Sequence, residues 1–283
     1  MSLDPQAWQQ WLGRSERRVG QVNAGPVAAM AATLDRDDPE PPAGAEVPPL
    51  WHWIFFIPLD RQSDLGEDGH ARRGGFLPPV PLPRRMWAGG RLEFQQPLQI
   101  GDRIERTSRI ADIRTREGHS GPLVFVTVRH EISNPRGLAI IEEHDVVYRD
   151  GTRGSAMGPA AQVAPTGETF SREIAPEPVL LFRYSALTFN GHRIHYDRNY
   201  ANKVEGYPGL VVHGPLVATL LLELLRRQAP HARVRRFSFK AVGPLFDIHR
   251  FTLCGRPEGE NAYALWARDH EGALAMHASV EIA

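Results

Sequence analysis

Lysine is nearly missing from this chain: Lys203 and Lys240 are the only two, and arginine supplies the other basic residues. A charge imbalance is missing as well. Lys plus Arg and Asp plus Glu both number 33, so the formal net charge is zero. That argues against a nucleic-acid partner, whose phosphates call for a basic excess. The arginine bias reads as coding preference, although guanidinium groups can also grip phosphate or carboxylate with two parallel donors. Cysteine is down to one residue, Cys254, which excludes an intramolecular disulfide and fits a reducing compartment. Its setting, F-T-L-C-G, predicts a buried structural thiol. No P-loop or dinucleotide fingerprint occurs. The longest mostly apolar run, Leu216 to Leu225, is too short for a bilayer and contains Glu223. The start, M-S-L-D-P-Q-A-W, lacks the charged-then-apolar pattern of a secretion signal. A cytoplasmic protein with no membrane contact is expected.

What is present is ordinary globular composition, 42% apolar and 23% charged, over a length that suits one large domain or two modest ones. Residues 1–35 read as amphipathic helices, and W-H-W-I-F-F-I (51–57) as a buried strand or an aromatic core segment. A long Gly/Pro-rich stretch from Leu65 to Pro83 holds G-E-D-G-H and G-G-F-L-P-P-V-P-L-P. Loops of that length in compact domains often cover a site. From Arg91 onward, β-rich runs broken by G-D, G-H-S-G and N-P-R-G predict an antiparallel meander.

The second half replays the first. R-L-E-F-Q-Q-P-L at Arg91 resembles R-F-S-F-K-A-V-G-P-L at Arg236, and strand-like runs follow both. Between them Pro215–Arg227 predicts a helix that is apolar on nearly every side, so a sheet should wrap it. Pro215 suits the first turn, with Gly214 before it as cap. Helix plus antiparallel meander, twice, predicts an α+β double hot-dog: two antiparallel sheets, each wrapping a helix, joined in one chain. The expected divisions are 1–150 (a degenerate N-terminal hot-dog), 151–175 (a linker) and 176–283 (the catalytic hot-dog).

The densest chemistry lies between Tyr184 and Leu216: Y-S-A-L-T-F-N-G-H-R-I-H-Y-D, then G-L-V-V-H-G-P-L. It offers an amide, Asn190, three imidazoles, His192, His195 and His213, and a His-Gly step at a helix start. His192 and His195 would share a helix face, yet no cysteine lies near and no carboxylate stands at zincin spacing, so no metal is expected. Asp197 reads as an N-cap for R-N-Y-A-N-K.

This segment resembles the hydratase-2 motif of the MaoC-like (R)-specific enoyl-CoA hydratases. The whole chain resembles their double hot-dog subgroup, the type 2 hydroxyacyl-thioester dehydratases and the itaconyl- and mesaconyl-CoA hydratases. The first half shares its W-H-W-I-F-F, D-G-H and G-G-F-L-P-P-V-P-L-P-R-R-M-W-A-G-G-R-L-E-F segments. The resemblance places His195 on the catalytic histidine and Gly214 on the glycine whose N–H holds the thioester oxygen. Asn190 falls where that family carries Asp, and His192 where Asn is common. An amide can orient water but cannot accept its proton. His195 is then the sole strong base, or another carboxylate (Asp197, Glu205 or Asp68) enters the site.

Candidate substrate-side residues are His192, Arg193, His213, Tyr184 and Arg183. Packing competes for Tyr184 and a solvated position for the two arginines. Arg235, Arg236 and Lys240 are candidates for the CoA phosphates. The first half, which has no matching His and His-Gly pair, is expected to furnish only a tunnel wall. What the resemblance implies is water addition to an α,β-unsaturated acyl-CoA, first of all itaconyl-CoA or mesaconyl-CoA. No cofactor is expected beyond the CoA thioester substrate, and the chain is expected to be a monomer or homodimer. Competing readings are a 3-hydroxyacyl-ACP dehydratase, a hot-dog thioesterase and a non-catalytic acyl-CoA binder.

Overall fold

The computed structural model describes residues 5–118, 121–150 and 161–283. Among the described residues there are ten strands and four α-helices. The strands of the first half are β1 (Ser15–Gln21), β2 (Arg84–Phe94), β3 (Arg103–Gly118), β4 (Gly121–Asn134) and β5 (Gly137–Arg149). Those of the second are β6 (Phe170–Ile174), β7 (Val234–Ala241), β8 (Phe251–Pro257), β9 (Ala262–Arg268) and β10 (Leu274–Ile282). The helices are α1 (Ala24–Thr33), α2 (Pro178–Thr188), α3 (Arg198–Lys203) and α4 (Gly214–Gln228).

Side chains alternate across a strand, so a period-two apolar pattern buries one face. In β4, Val124, Val126, Val128, His130 and Ile132 are buried while most of their neighbours are less so. The meander read from Arg91 onward is present, antiparallel throughout. The two expected sheets are joined edge to edge into one, in the order β1-β3-β4-β5-β2-β7-β10-β9-β8-β6. The join is the β2–β7 pair, where Arg91 faces Ser238, Leu92 faces Phe237 and Glu93 faces Arg236. The two stretches whose likeness suggested a duplication are therefore antiparallel neighbours at the seam.

Two segments depart from the sequence reading, and at a third the structure chooses between the two readings offered. Residues 15–21 form β1, not a helix, because S-E-R-R-V-G-Q has too few apolar residues to announce a strand. Trp51–Ile54 is a short 3-10 turn in the apolar core, the aromatic core segment and not the strand. The expected linker, 151–175, contains β6, which pairs with β8; residues 151–160 lie outside those described.

Helix α4 is the core of the second half. Every residue from Leu216 to Leu225 is buried, packed against strands of that half. Glu223 sits among them because Arg36, Arg226 and Arg227 all pair with its carboxylate. A buried charge persists only with such partners. Helix α1 packs on α2 and on the Trp51–Ile54 turn, and one apolar core runs from Val27 and Met30 to Leu216 and Leu221. Cys254 is buried, and burial pushes its thiol up to about 11, as its apolar setting predicts. Among the described residues no helix is long and apolar enough to cross a membrane.

The seam tolerates no added bulk. A Cβ on Gly89 would stand 2.6 Å from the Phe239 carbonyl oxygen, and one on Gly90 would stand 2.9 Å from the Phe239 ring. Gly89→Ala is expected to lower unfolding stability by about 1–3 kcal/mol, the usual cost of overpacking. Urea denaturation checks this; an unchanged midpoint would mean the seam is looser than described.

Candidate active site

A cavity of about 370 Å³ opens where the two halves meet, lined by both. From the second half come Asn190, His192, His195 and Gly214. Each is placed by local backbone. Helix α2 ends with Phe189 in the left-handed region, φ 52°, and the chain turns sharply into Asn190. The Asn190 side-chain oxygen accepts from the His192 N–H at 3.0 Å, leaving the amide NH₂ as its free polar group. A 3-10 turn, Arg193–His195, then sets His195 beside the cavity.

His195 is held on two sides. Its Nδ1 donates to the Val211 carbonyl at 2.7 Å, which fixes the proton there and leaves Nε2 as an acceptor. Its ring stacks on that of His213 at 3.7 Å between centroids. Burial first, then the neighbouring His192, pushes His195 down to about 3. Burial and then His70 do the same for His192, also to about 3. Burial drives His213 well below its ordinary value. All three rings are neutral at physiological pH.

Gly214 is the first residue of α4, and His213, not Gly214, is the cap. The first N–H groups of a helix have no partner inside it and carry partial positive charge. A Cβ on Gly214 would meet only the Trp87 carbonyl oxygen, at 4.0 Å. The space above this amide is left open, in the manner of a backbone that a ligand approaches closely.

Four of the expected substrate-side residues are not cavity walls. His213 is fully buried, its Nε2 2.8 Å from Ser185 Oγ, so it supports His195 from behind. Tyr184 is buried in the core, and burial raises its hydroxyl. Arg183 is exposed on α2, where it reaches solvent. Arg193 pairs with Asp197 at 2.7 Å and stacks over Tyr200 at 4.3 Å. Asp197 is the cap of α3, accepting from the Tyr200 N–H. Arg236, a candidate for the CoA phosphates, pairs with Glu93 and Glu281 on the sheet surface.

The first half supplies charged groups to this wall. Asp68, His70, Arg84, Arg85, Trp87 and Arg149 all line the cavity. The two carboxylates that enter, Asp68 and Glu205, are among those that could replace the missing one at 190. Glu205 is matched by Arg84, 3.7 Å away. Among the described residues, Arg85 and Arg149 are in no ion pair, and Arg149 Nε is buried without a partner. Arg84 and Arg149 stand directly opposite each other across β2 and β5, an arrangement of like charge that weakens a sheet unless an anion intervenes. No local motif marks these arginines; only the R-R following the proline-rich stretch hints at them. Asp68, His70 and His192 place ligand-type atoms within 4.8 Å of one another, the one such cluster among the described residues.

The buried neutral imidazoles set a pH dependence. Unfolded, they titrate near 6.5, about the free value; folded, His192 and His195 take no proton until about pH 3. The unfolded chain therefore binds more protons between those limits. The stability these rings contribute is complete above pH 6.5 and is lost as pH falls toward 3. Tm should be level above pH 7 and fall below 6.5, and His192→Asn should shallow the fall. A Tm unchanged from pH 7 to about 4.5 would contradict neutral burial.

Comparison with known proteins follows the same lines. The family model for hydroxyacyl-thioester dehydratase type 2 matches residues 50–247. The chain is 47% identical over 275 residues to mesaconyl-C(4)-CoA hydratase of Chloroflexus aurantiacus, covering 97% of this chain and 98% of that one. A MaoC-like dehydratase superposes with a TM-score of 0.74 at 13% identity, over 98% of this chain and 99% of the other. A Mycobacterium tuberculosis protein with a double hot-dog fold superposes with a TM-score of 0.58 at 13% identity, over 96% of each. At those identities the structural likeness speaks for the fold, and the fold is the double hot-dog. Sequence and architecture agree: this chain belongs to the hydroxyacyl-thioester dehydratase type 2 family.

Proposed function

We propose that the chain is a hydro-lyase that adds water to an α,β-unsaturated acyl-CoA, a short branched dicarboxylic one of the mesaconyl-CoA or itaconyl-CoA kind. The observation that carries the reading is one cavity with the His195 imidazole and the α4 N-terminus at Gly214 both in its wall. Hydration needs both. The His195 Nε2 lone pair takes a proton from water while oxygen bonds to the β-carbon. The displaced π electrons move toward the thioester oxygen, where the Gly214 N–H and the positive helix end meet them. The proton then passes from His195 to the α-carbon, and the ring returns to neutral. Asn190 presents its NH₂ to the water as an orienting donor, with no capacity to take the proton. CoA enters as part of the substrate, and no other cofactor is required by these steps.

The acyl group is argued from charge. Three guanidinium groups line the cavity against two carboxylates, so a substrate bearing one free carboxylate would balance the wall. Arg85 and Arg149 are the donors free to meet it, in place of Arg183 and Arg193. The 47% identical relative is named for a C4-linked mesaconyl-CoA, which has that free carboxylate. The family is described as a hydroxyacyl-thioester dehydratase; a 3-hydroxyacyl-ACP substrate is the second reading, and its long apolar chain would have no use for these arginines.

Loss of enoyl absorbance without release of free thiol tests the reaction. His195→Ala should lower kcat by about 10²–10⁴-fold, the range for a positioned general base, while the protein stays folded. Thiol release instead would identify a thioesterase, and silence across several enoyl-CoAs a non-catalytic binder.

Arg85→Gln separates the substrate classes. It should raise KM for mesaconyl-CoA by about ten-fold or more, the scale of a lost charge-assisted hydrogen bond. Crotonyl-CoA, which lacks the second carboxylate, should be hydrated as before. Equal losses on both substrates would assign the arginine to the CoA moiety.

A further inference from the structure

Residue 190 is where the family resemblance expects a carboxylate, and this chain has an amide. The fold brings a carboxylate to the same cavity from 122 positions earlier in the sequence, on the D-G-H loop of the first half. Asp68 is held there firmly. Its Oδ1 accepts from the His70 backbone N–H and its Oδ2 from His70 Nδ1, each at 3.0 Å. Its own backbone oxygen accepts from the Arg193 N–H at 2.9 Å. Gly69, at φ +88°, lies so close to the hydratase motif that a Cβ there would stand 1.9 Å from the Gly191 carbonyl oxygen. The loop is docked onto the turn that carries Asn190, His192 and His195.

From this anchor the imidazoles run in a row. His70 lies 4.1 Å from His192 between ring centroids, His192 lies 5.3 Å from His195 edge-on, and His213 stacks behind His195. When His195 takes the proton of water, positive charge appears among neutral rings with Arg85 close by. Of the two carboxylates in the cavity, Glu205 is already matched by Arg84. Asp68 is the one with no guanidinium partner among the described residues. Burial would raise its pKa, but the hydrogen bonds from the His70 ring and backbone N–H hold it well below the carboxylate range. His70 in turn is pushed down by burial and by Arg85 and Arg73, with Asp68 opposing.

We propose that Asp68 supplies the negative charge that residue 190 lacks: acting through His70 and His192, it steadies the protonated state of His195 during turnover. This rests on the hydration chemistry proposed above. Asp68 and His70 are positioning residues; the reacting proton travels from water to His195 to the α-carbon, and none is gained or lost by the pair. The first half of the chain thereby completes the acid–base set of the second.

Asp68→Asn preserves shape and the acceptor for the His70 N–H while removing the charge. It should lower kcat by about 10–100-fold, toward the smaller end of acid–base effects, with KM changed by less than about three-fold. Without the anion the imidazolium is harder to form, so the acidic limb of the pH–kcat profile should move to lower pH. The double variant Asp68→Asn/Asn190→Asp, which returns a carboxylate to the turn, should recover at least about ten-fold of the loss. Unchanged kcat, an unmoved limb or no recovery in the double variant would overturn the proposal. Loss of turnover on chelation, restored by a divalent cation, would also overturn it, because Asp68, His70 and His192 would then be holding a metal.

A second readout does not depend on turnover. Imidazole ¹⁵N shifts of the ligand-free protein at neutral pH should show His70 protonated on Nδ1 and that preference lost in Asp68→Asn. A wild-type His70 protonated on Nε2 would contradict the proposal, since the carboxylate would not then be holding the ring. If the wild-type protein hydrates no enoyl-CoA, the functional reading fails, and these shifts still decide whether Asp68 governs the imidazole row.

Discussion

Helix α4 can occupy only one position, and the site is measured from it. With every residue from Leu216 to Leu225 buried, sliding or rotating the helix would expose apolar surface, at about 25 cal/mol per Å². Glu223 adds a polar lock, since its buried carboxylate is tied to Arg36 across the fold and to Arg226 and Arg227 on its own helix. The N-terminus is fixed as a result. Its first residue, Gly214, carries no side chain to cover the amide, and its cap, His213, becomes the floor on which His195 stacks. Core packing thus reaches the cavity wall in two steps.

The second constraint is the seam. Pairing β2 with β7 makes one sheet from two five-stranded halves and sets the R-R-M-W segment of β2 beside the start of α4. The first half lacks a His and His-Gly motif of its own, yet its loops meet the second half's motif at Gly69 and Gly191. The first half places Arg84, Arg85, Asp68 and His70 in the cavity wall. Both halves therefore line one cavity, the second with His192, His195 and the α4 start, the first with these charged groups.

Legibility in the sequence follows distance along the chain. Asn190, His192, His195 and Gly214 lie within 25 residues, and the motif containing them could be read directly. The meander and α4 were equally plain, because their apolar periods were strong. Strand β1 was not, since an exposed edge strand of S-E-R-R-V-G-Q carries little burial pattern. Arg183 and Arg193 drew attention by proximity in sequence, but a helix face turns one to solvent and an ion pair engages the other. Arg85, Arg149 and His70 are at least 35 residues from the motif and reach the cavity only through strand pairing and loop docking. Asp68 could be named as a possible replacement for the missing acid, but not chosen over Asp197, which caps α3.

The most direct examination of this arrangement is a crystal structure with a saturated dicarboxylic acyl-CoA, which can bind but cannot be hydrated. The thioester oxygen should lie within hydrogen-bond distance of the Gly214 nitrogen, with the β-carbon facing His195 Nε2. An acyl group seated away from that amide, or a β-carbon screened from the ring by protein, would contradict the account.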